Sequence, residues 1–242
     1  MLVTGATRLV GLVGNPVSRS LSPRIQNAAF AARGLDWAYV ALAVPDGDLE
    51  AAVRGVAALG FAGANVTAPH KRAVVSLCDT LDERSARAGS VNTLVLRDGR
   101  VEGGTTDAEI LAEVEAERAV VIGAGGAAAA FAAALEERGA GVRMFSRRGE
   151  WPPRAERADL VVHATPVVDD VLVALRPAHR VIDLAYRADG RPTALVAAAR
   201  AAGCEQVVDG LEVLVAQGAA SFERWTGVPA PVDVMRAAAR AP

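Results

Sequence analysis

Two charged residues of this chain could carry chemistry, and each closes a predicted turn. Lys71 ends Thr67-Ala68-Pro69-His70-Lys71, which directly follows an apolar run that predicts a strand. A lysine amine at the carboxyl edge of an α/β sheet can act on a ligand, although it can equally be a solvated surface charge. Asp107 ends Gly103-Gly104-Thr105-Thr106-Asp107. Its carboxylate could be the N-cap of a helix predicted over 108–117, or it could face a ligand at the junction of two lobes.

Two hydroxyls precede the first predicted helix. Ser20 and Ser22 belong to Ser18-Arg19-Ser20-Leu21-Ser22-Pro23, which follows a strand predicted over 9–13 and leads into a helix predicted over 23–33. Ser22 is placed as an N-cap, with Pro23 at the first helical position. Ser20 has no capping role in this pattern. Two hydroxyls at a helix N-terminus could therefore bind a carboxylate.

A glycine turn between a strand and a helix predicts a dinucleotide site. The apolar run 119–122 ends at Gly123-Ala124-Gly125-Gly126-Ala127, and helix formers fill 127–137. Glycines let a ligand approach the backbone, and the free N–H groups of a helix start favour a diphosphate. A second strand over 142–145 leads to Ser146-Arg147-Arg148. Because an NAD site usually has an acid there, two guanidiniums favour the 2′-phosphate of NADP. Glycines alone would indicate only a tight turn.

Composition narrows the function classes further. The chain has 242 residues, 52% of them hydrophobic, which is enough for a full core and for two lobes. A net charge of −2 argues against nucleic acid as a partner, so the ligand should be small. Cys78 and Cys204 are expected to be reduced thiols, and three scattered histidines make a metal site improbable. No leader or membrane segment is predicted, which favours a cytoplasmic protein.

Alternating strand and helix patterns predict an α/β fold with two lobes. We expect an N-terminal α/β substrate domain formed by residues 1–104 and 211–242, and a Rossmann-like NADP-binding domain over 105–210. The second half of the nucleotide domain should be shortened, because only about ten residues separate Arg148 from the strand predicted over 159–163. Further strands are predicted over 37–44, 61–66, 181–186 and 206–208, further helices over 46–59 and 193–202, and a hairpin at Asp98-Gly99.

Seven motifs together resemble the shikimate dehydrogenase family, which reduces 3-dehydroshikimate to shikimate with NADPH in aromatic amino-acid (chorismate) biosynthesis. They occur in the family's order over nearly the whole chain: Ser18 to Pro23, Asn65 to Lys71, Gly89-Ser90-Val91-Asn92-Thr93, Thr106-Asp107, Gly123 to Ala127, Ala164-Thr165-Pro166, and Gly210 with Leu214-Val215-Ala216-Gln217.

The resemblance implies a role for each matching residue. Lys71 and Asp107 would be the catalytic pair, and Ser20 and Ser22 would hold the substrate carboxylate. The ring hydroxyls would contact Thr67, Asn92, Asp107, Tyr186 and Gln217. NADP would be lined by Gly123, Ala124, Gly125, Gly126, Ala127, Ser146, Arg147, Arg148, Leu184 and Gly210, with Glu83 a weaker candidate. The partner would be shikimate or 3-dehydroshikimate, bound by a monomer or a homodimer.

Three positions depart from the family's pattern, and they keep two alternatives open. The chain has Gln26, Thr105 and His163 where the family usually has His, Asn and Asn. One alternative is a dehydrogenase of quinate or a related hydroxy acid, with NAD as a possible cofactor. The other is a catalytically idle NADP-binding sensor or scaffold. Since Lys71, Asp107, Asn92 and Gln217 are all present, the sequence favours retained catalysis.

Overall fold

The computed structural model describes residues 3–241, which form two compact units. The first comprises residues up to Thr106 together with Val215–Ala241, and the second comprises Asp107–Leu214. The domain boundaries at 104/105 and 210/211 stay a prediction from the sequence. No helix within residues 3–241 has the length and apolar content needed to cross a membrane.

The first unit is built on a six-stranded mixed sheet. Its strands are β1 (Arg8–Gly14), β2 (Trp37–Ala43), β3 (Gly63–Val66), β4 (Thr80–Leu81), β5 (Thr93–Arg97) and β6 (Arg100–Gly104), in the order β2-β1-β3-β5-β6-β4. Its helices include α1 (Ser22–Ala32), α2 (Leu49–Ala58) and α3 (Glu83–Ala88). The hairpin predicted at Asp98-Gly99 is confirmed, since β5 and β6 pair antiparallel and both turn residues have positive φ, 51° and 73°.

The second unit is built on a five-stranded sheet whose strands all run parallel. It contains β7 (Arg118–Ile122), α4 (Gly126–Glu137), β8 (Gly141–Phe145), β9 (Leu160–His163), β10 (Arg180–Asp183), α5 (Ala194–Ala201) and β11 (Gln206–Val208), with strand order β11-β10-β9-β7-β8. Residues 146–159, between β8 and β9, contain no helix, in line with the predicted shortening. Two helices follow β11, namely α6 (Gly210–Thr226) and α7 (Val232–Arg240). From Val215 onward their residues belong to the first unit.

The helix predicted over 108–117 is wrong. The segment forms only a 3-10 turn at Glu109–Glu113, and Val114 is extended. Its backbone polar groups are bonded outside any helix: the Val114 carbonyl accepts from Arg138 at 3.3 Å and the Glu115 carbonyl from Arg180 at 2.8 Å. Bonds of this kind satisfy the backbone as well as helical bonds do, so tertiary contacts override the helix propensity of the segment.

An unpredicted helix, α3, begins at a capping carboxylate in the charged segment 79–87. Asp82 Oδ1 accepts the Ser85 N–H at 2.7 Å, and Asp82 Oδ2 lies 2.8 Å from Arg224 of α6. Burial acts to raise the pKa of Asp82, but the hydrogen bonds from Ser85 and the Arg224 guanidinium outweigh it, so the pKa lies below its usual value. Ionised Asp82 therefore joins two helices of the first unit.

We predict that Asp82→Ala lowers the free energy of unfolding by about 1–2 kcal/mol at neutral pH, because it removes a cap and an ion pair. The contribution of ionised Asp82 is present above its unfolded pKa, about 3.9, and is lost as the pH falls through the lower folded pKa. Asp82→Asn should therefore flatten the acid limb of a denaturant-unfolding series. Asp46→Ala, which removes an exposed carboxylate, should cost less than about 0.5 kcal/mol. An equal loss in both alanine variants would refute the capping role.

Candidate active site

The segment after β3 is held by backbone and side-chain bonds that position Thr67 and Lys71. Thr67 N–H donates to the Val13 carbonyl at 2.9 Å, and the Lys71 carbonyl accepts the Val91 N–H at 2.8 Å. Between them, buried His70 donates its Nε2–H to the Val44 carbonyl at 2.7 Å. Lys71 itself is half-buried. The turn therefore fixes where the lysine leaves the backbone, at the carboxyl edge of a parallel strand, where open α/β sheets bind ligands.

Asn92 and Gln217, which lie far apart in the sequence, meet in the first unit. The Asn92 amide nitrogen donates to Gln217 Oε1 at 3.3 Å and to Thr106 Oγ1 at 3.0 Å, while its oxygen accepts the Thr106 N–H at 2.8 Å. Asn92 is almost fully buried, and Gln217 is partly exposed. A side-chain amide held this rigidly is suited to orienting a bound polar ligand.

Four further polar residues complete this network, and the sequence interpretation missed their roles. Asn65 donates to Ser221 Oγ at 2.9 Å and accepts the Tyr39 hydroxyl at 2.9 Å, and Thr93 Oγ1 lies 2.9 Å from Ser221 Oγ. All four are buried. The one available signal was Asn65, a polar residue within an apolar strand, since buried polar groups need partners. The partners themselves come from separate segments and could not be identified from spacing.

The start of α1 reverses the roles predicted for its two hydroxyls. Ser22 is the first helical residue, not the N-cap; the cap position is Leu21, with no side-chain capping bond. Ser20 Oγ instead accepts the Ser22 N–H at 3.2 Å, so the expectation that Ser20 has no such duty is wrong. The reason is that the helix begins with Ser22 itself, one residue early. The Ser22 hydroxyl is consequently free of a capping role at this helix start.

Asp107 directly follows Thr106 of the network and is 6% exposed. The capping alternative for Asp107 is wrong, because the short 3-10 turn has Ala108 at its N-cap and no side-chain capping bond. Asp107 belongs to the second unit and Lys71 to the first. Their action as a catalytic pair stays a prediction.

The turn between β7 and α4 has room for a phosphate. Gly123 needs to be glycine, since its φ is 147° and an added Cβ would lie 2.5 Å from the Ala164 carbonyl oxygen. Gly125 has an ordinary φ of −82°, and no atom lies within 4 Å of an added Cβ. Gly125 is the N-cap of α4 and provides no side chain for the first N–H groups, which begin at Gly126 and Ala127. These groups, beside exposed Ala124, fit a diphosphate.

The segment after β8 presents two cations to solvent. Arg147 and Arg148 are exposed, and no carboxylate within residues 3–241 forms an ion pair with either. The nearby acid, Glu150, pairs with Arg143 at 2.6 Å. Ser146, half-buried, closes the turn by accepting the Gly149 N–H at 2.9 Å through its carbonyl. Two unneutralised guanidiniums beside a phosphate turn fit a second phosphate, as on a 2′-phosphorylated ribose.

The remaining predicted residues lie in three places. Leu184 and Tyr186 follow β10, at the carboxyl edge of the parallel sheet, and Leu184 N–H donates to the His163 carbonyl at 2.9 Å. Gly210 starts α6, and an added Cβ would overlap the Ala185 carbonyl oxygen. Glu83 is an exposed residue of α3 in the first unit, 2.8 Å from Arg87.

Two of the three altered positions leave buried atoms without a hydrogen bond among the described residues. Gln26 donates to the Gly218 carbonyl at 2.9 Å, but its Oε1 has no partner there, and neither does Thr105 Oγ1. An unpaired buried polar atom costs about 1–3 kcal/mol. His163, in contrast, is bonded through both ring nitrogens.

Comparisons with known proteins identify the family to which the chain is similar. A family model described as the shikimate dehydrogenase substrate binding domain matches residues 12–94, and one described as the shikimate 5′-dehydrogenase C-terminal domain matches residues 210–240. A relative from Moorella thermoacetica, named shikimate dehydrogenase (NADP(+)), is 40% identical over 278 residues, covering 96% of this chain and 92% of the relative.

Solved structures give the same result. The Thermus thermophilus shikimate 5-dehydrogenase in complex with NADP(H) and shikimate has a TM-score of 0.86 at 30% identity, covering 97% of this chain and 99% of that chain. A Corynebacterium glutamicum quinate dehydrogenase in complex with NAD has a TM-score of 0.81 at 28% identity, covering 96% and 98%. The predicted α/β fold class and the resemblance are both confirmed. The chain belongs to the shikimate dehydrogenase family.

Proposed function

We propose that this chain catalyses the NADP-dependent, reversible reduction of 3-dehydroshikimate to shikimate. The observation that carries this proposal is the match at 40% identity, over 96% of this chain, to a relative named shikimate dehydrogenase (NADP(+)). The rigid Asn92–Gln217 arrangement supports it, because that arrangement suits a ligand rich in hydroxyl groups.

The substrate has a carboxylate and ring hydroxyls, and the first unit offers groups for both. The Ser20 and Ser22 hydroxyls at the start of α1 suit the carboxylate, since the N-terminus of a helix favours negative charge. Thr67, Asn92 and Gln217 offer hydrogen bonds to ring hydroxyls. We assign Tyr186 of the second unit the same kind of role.

Bound NADPH supplies the hydride that is added to the carbonyl carbon of the ketone. The protein must then provide one proton. The Lys71 ammonium donates that proton to the oxygen of the former carbonyl, which becomes the ring hydroxyl, and neutral Lys71 accepts it back in the oxidative direction. Asp107 stabilises the ammonium and keeps its proton directed at the oxygen.

The second unit is assigned the cofactor. The open turn from Gly123 to Ala127 would hold the diphosphate, and Arg147 and Arg148 the 2′-phosphate, with Ser146 alongside. Leu184 and Gly210 would line the cofactor by virtue of their place at the carboxyl edge of the sheet.

We predict that Ser22→Ala raises KM for shikimate by about tenfold or more, because a hydrogen bond to a charged group contributes roughly 1.5–3 kcal/mol. The structure makes Ser22 the cleaner test, since Ser20→Ala would also remove the hydroxyl oxygen that accepts the Ser22 N–H. Steady-state kinetics with shikimate as the varied substrate measure the effect. Ser18→Ala, at an exposed hydroxyl of the same loop, is the control. Equal KM values in the two variants would exclude Ser22 from the site.

Quinate is the second candidate substrate, favoured by the structural match to a quinate dehydrogenase bound to NAD. Initial rates with shikimate and quinate, each with NADP⁺ and NAD⁺, decide between the candidates. The proposal predicts the highest kcat/KM for shikimate with NADP⁺. A preference for quinate with NAD⁺ would replace it with the second candidate, and NADPH binding without turnover of either acid would favour the idle sensor.

A further inference from the structure

A chain of buried hydrogen bonds in the second unit ends at a hydroxyl that has no role in the proposed reaction. His163, at the end of β9, is 1% exposed. Its Nδ1 lies 2.8 Å from Asp183 Oδ1, and its Nε2 lies 2.5 Å from Thr165 Oγ1. Thr165 is half-buried and follows the strand by two residues.

The partners of Asp183 determine which nitrogen of His163 carries hydrogen. Asp183 is fully buried, and its carboxylate accepts the Thr193 hydroxyl at 2.5 Å and the Ala185 N–H at 2.9 Å. Both Asp183 oxygens act as acceptors in these bonds, so Nδ1 of His163 is the donor to Oδ1. In the tautomer with its hydrogen on Nδ1, Nε2 is an acceptor, and the Thr165 hydroxyl donates to it.

The hydroxyl of Thr165 is thereby oriented. Its hydrogen points at His163, and its oxygen already accepts the Val167 N–H at 3.3 Å. The lone pair that remains can accept one more hydrogen bond. The group that binds this Thr165 oxygen must be a donor, such as a ribose hydroxyl or an amide N–H. Phosphate oxygens are acceptors and are therefore excluded as partners.

The strand order shows which half of a dinucleotide this oxygen would meet. Thr165 follows Ala164, whose carbonyl borders Gly123 of the phosphate turn. β9 lies on the opposite side of β7 from β8, the strand that leads to Arg147 and Arg148. With the 2′-phosphate at the β8 side, the loop after β9 lies toward the other nucleoside of the cofactor.

We propose that Asp183 and His163 act as positioning residues that fix the Thr165 hydroxyl as a hydrogen-bond acceptor for the nicotinamide nucleoside half of NADP(H). This inference rests on the proposed cofactor. The nicotinamide half presents the required donors, in its ribose hydroxyls and its carboxamide.

Four variants and two ligands test the proposal by equilibrium binding. Thr165→Val removes the hydroxyl at nearly constant shape, and Thr165→Ser keeps it. His163→Asn places an amide near the position of Nδ1, so it can keep the Asp183 bond but loses the bond to Thr165. The double variant His163→Asn with Thr165→Val measures coupling. Dissociation constants are measured for NADPH and for adenosine 2′,5′-bisphosphate, which contains the 2′-phosphate but no nicotinamide nucleoside.

We expect Thr165→Val and His163→Asn each to weaken NADPH binding by about 3- to 10-fold, the usual contribution of one hydrogen bond. The bisphosphate should bind all variants as it binds the parent, which also shows that they are folded. Thr165→Ser should bind NADPH like the parent. The double variant should bind NADPH about as tightly as whichever single variant has the lower affinity. If His163→Asn does not fold, the Thr165 pair alone decides.

Two results would overturn the proposal. Unchanged NADPH affinity in Thr165→Val would show that the hydroxyl makes no contact with the cofactor. Equal weakening of both ligands would show that the hydrogen-bond chain only stabilises the loop. Failure of the parent protein to bind NADPH would refute the proposed function as well.

Discussion

Lys71→Ala should lower kcat for shikimate oxidation by about 10²–10⁴-fold, the usual contribution of a general acid or base. Affinity for NADPH should hardly change, because the residues assigned to the cofactor phosphates belong to the second unit and Lys71 to the first. Stopped-flow or steady-state rates give kcat, and equilibrium binding gives the NADPH dissociation constant. Arg72→Ala, which removes the exposed cation next in sequence, is the matched control and should retain near-normal kcat.

Asp107 extends this prediction to a pair. Asp107→Ala should also lower kcat, and the double variant should fall little below the worse single variant, because groups that act as one unit are not additive. If the two losses simply multiply, the residues act independently. If Lys71→Ala keeps near-normal kcat, the proton reaches the substrate oxygen by another route.

Replacing both Arg147 and Arg148 by alanine should shift cofactor preference from NADP toward NAD. Each guanidinium can form charged hydrogen bonds to a 2′-phosphate, and one such bond contributes roughly 1.5–3 kcal/mol. The kcat/KM for NADP⁺ should therefore fall by about 10²-fold or more, while that for NAD⁺ changes little. No acid among residues 3–241 pairs with either arginine, so their removal breaks no ion pair there.

The control for charge is Arg154→Ala with Arg157→Ala, which removes two exposed cations from the same loop region. This variant should keep the parent's ratio of kcat/KM values for the two cofactors. Were the Arg147 and Arg148 variant to keep that ratio too, both arginines would be ordinary surface charges.

Local patterns predicted those parts of the molecule that depend on neighbours in sequence. The turn after β7 was predicted because an apolar run, glycines and helix formers follow one another within about twenty residues. The hairpin at Asp98-Gly99 was predicted because its turn requires positive φ at both residues.

Contacts between distant segments account for what the sequence interpretation missed. The carbonyl groups of Val114 and Glu115 bond to arginines that follow 24 and 65 residues later, and this prevents the helix that local propensity favours. Similarly, the Asn65 amide depends on Ser221, 156 residues away. No spacing rule could pair these residues. The reversed roles of Ser20 and Ser22 come from a smaller effect, a helix that begins one residue before the predicted position.

The most direct test of the central claim is the initial rate of NADPH formation by the purified parent protein with shikimate and NADP⁺. We expect saturable turnover, with kcat/KM at least about 10²-fold higher for NADP⁺ than for NAD⁺ and higher for shikimate than for quinate. Binding of NADPH without detectable turnover of shikimate would contradict the assignment of this chain as a shikimate dehydrogenase.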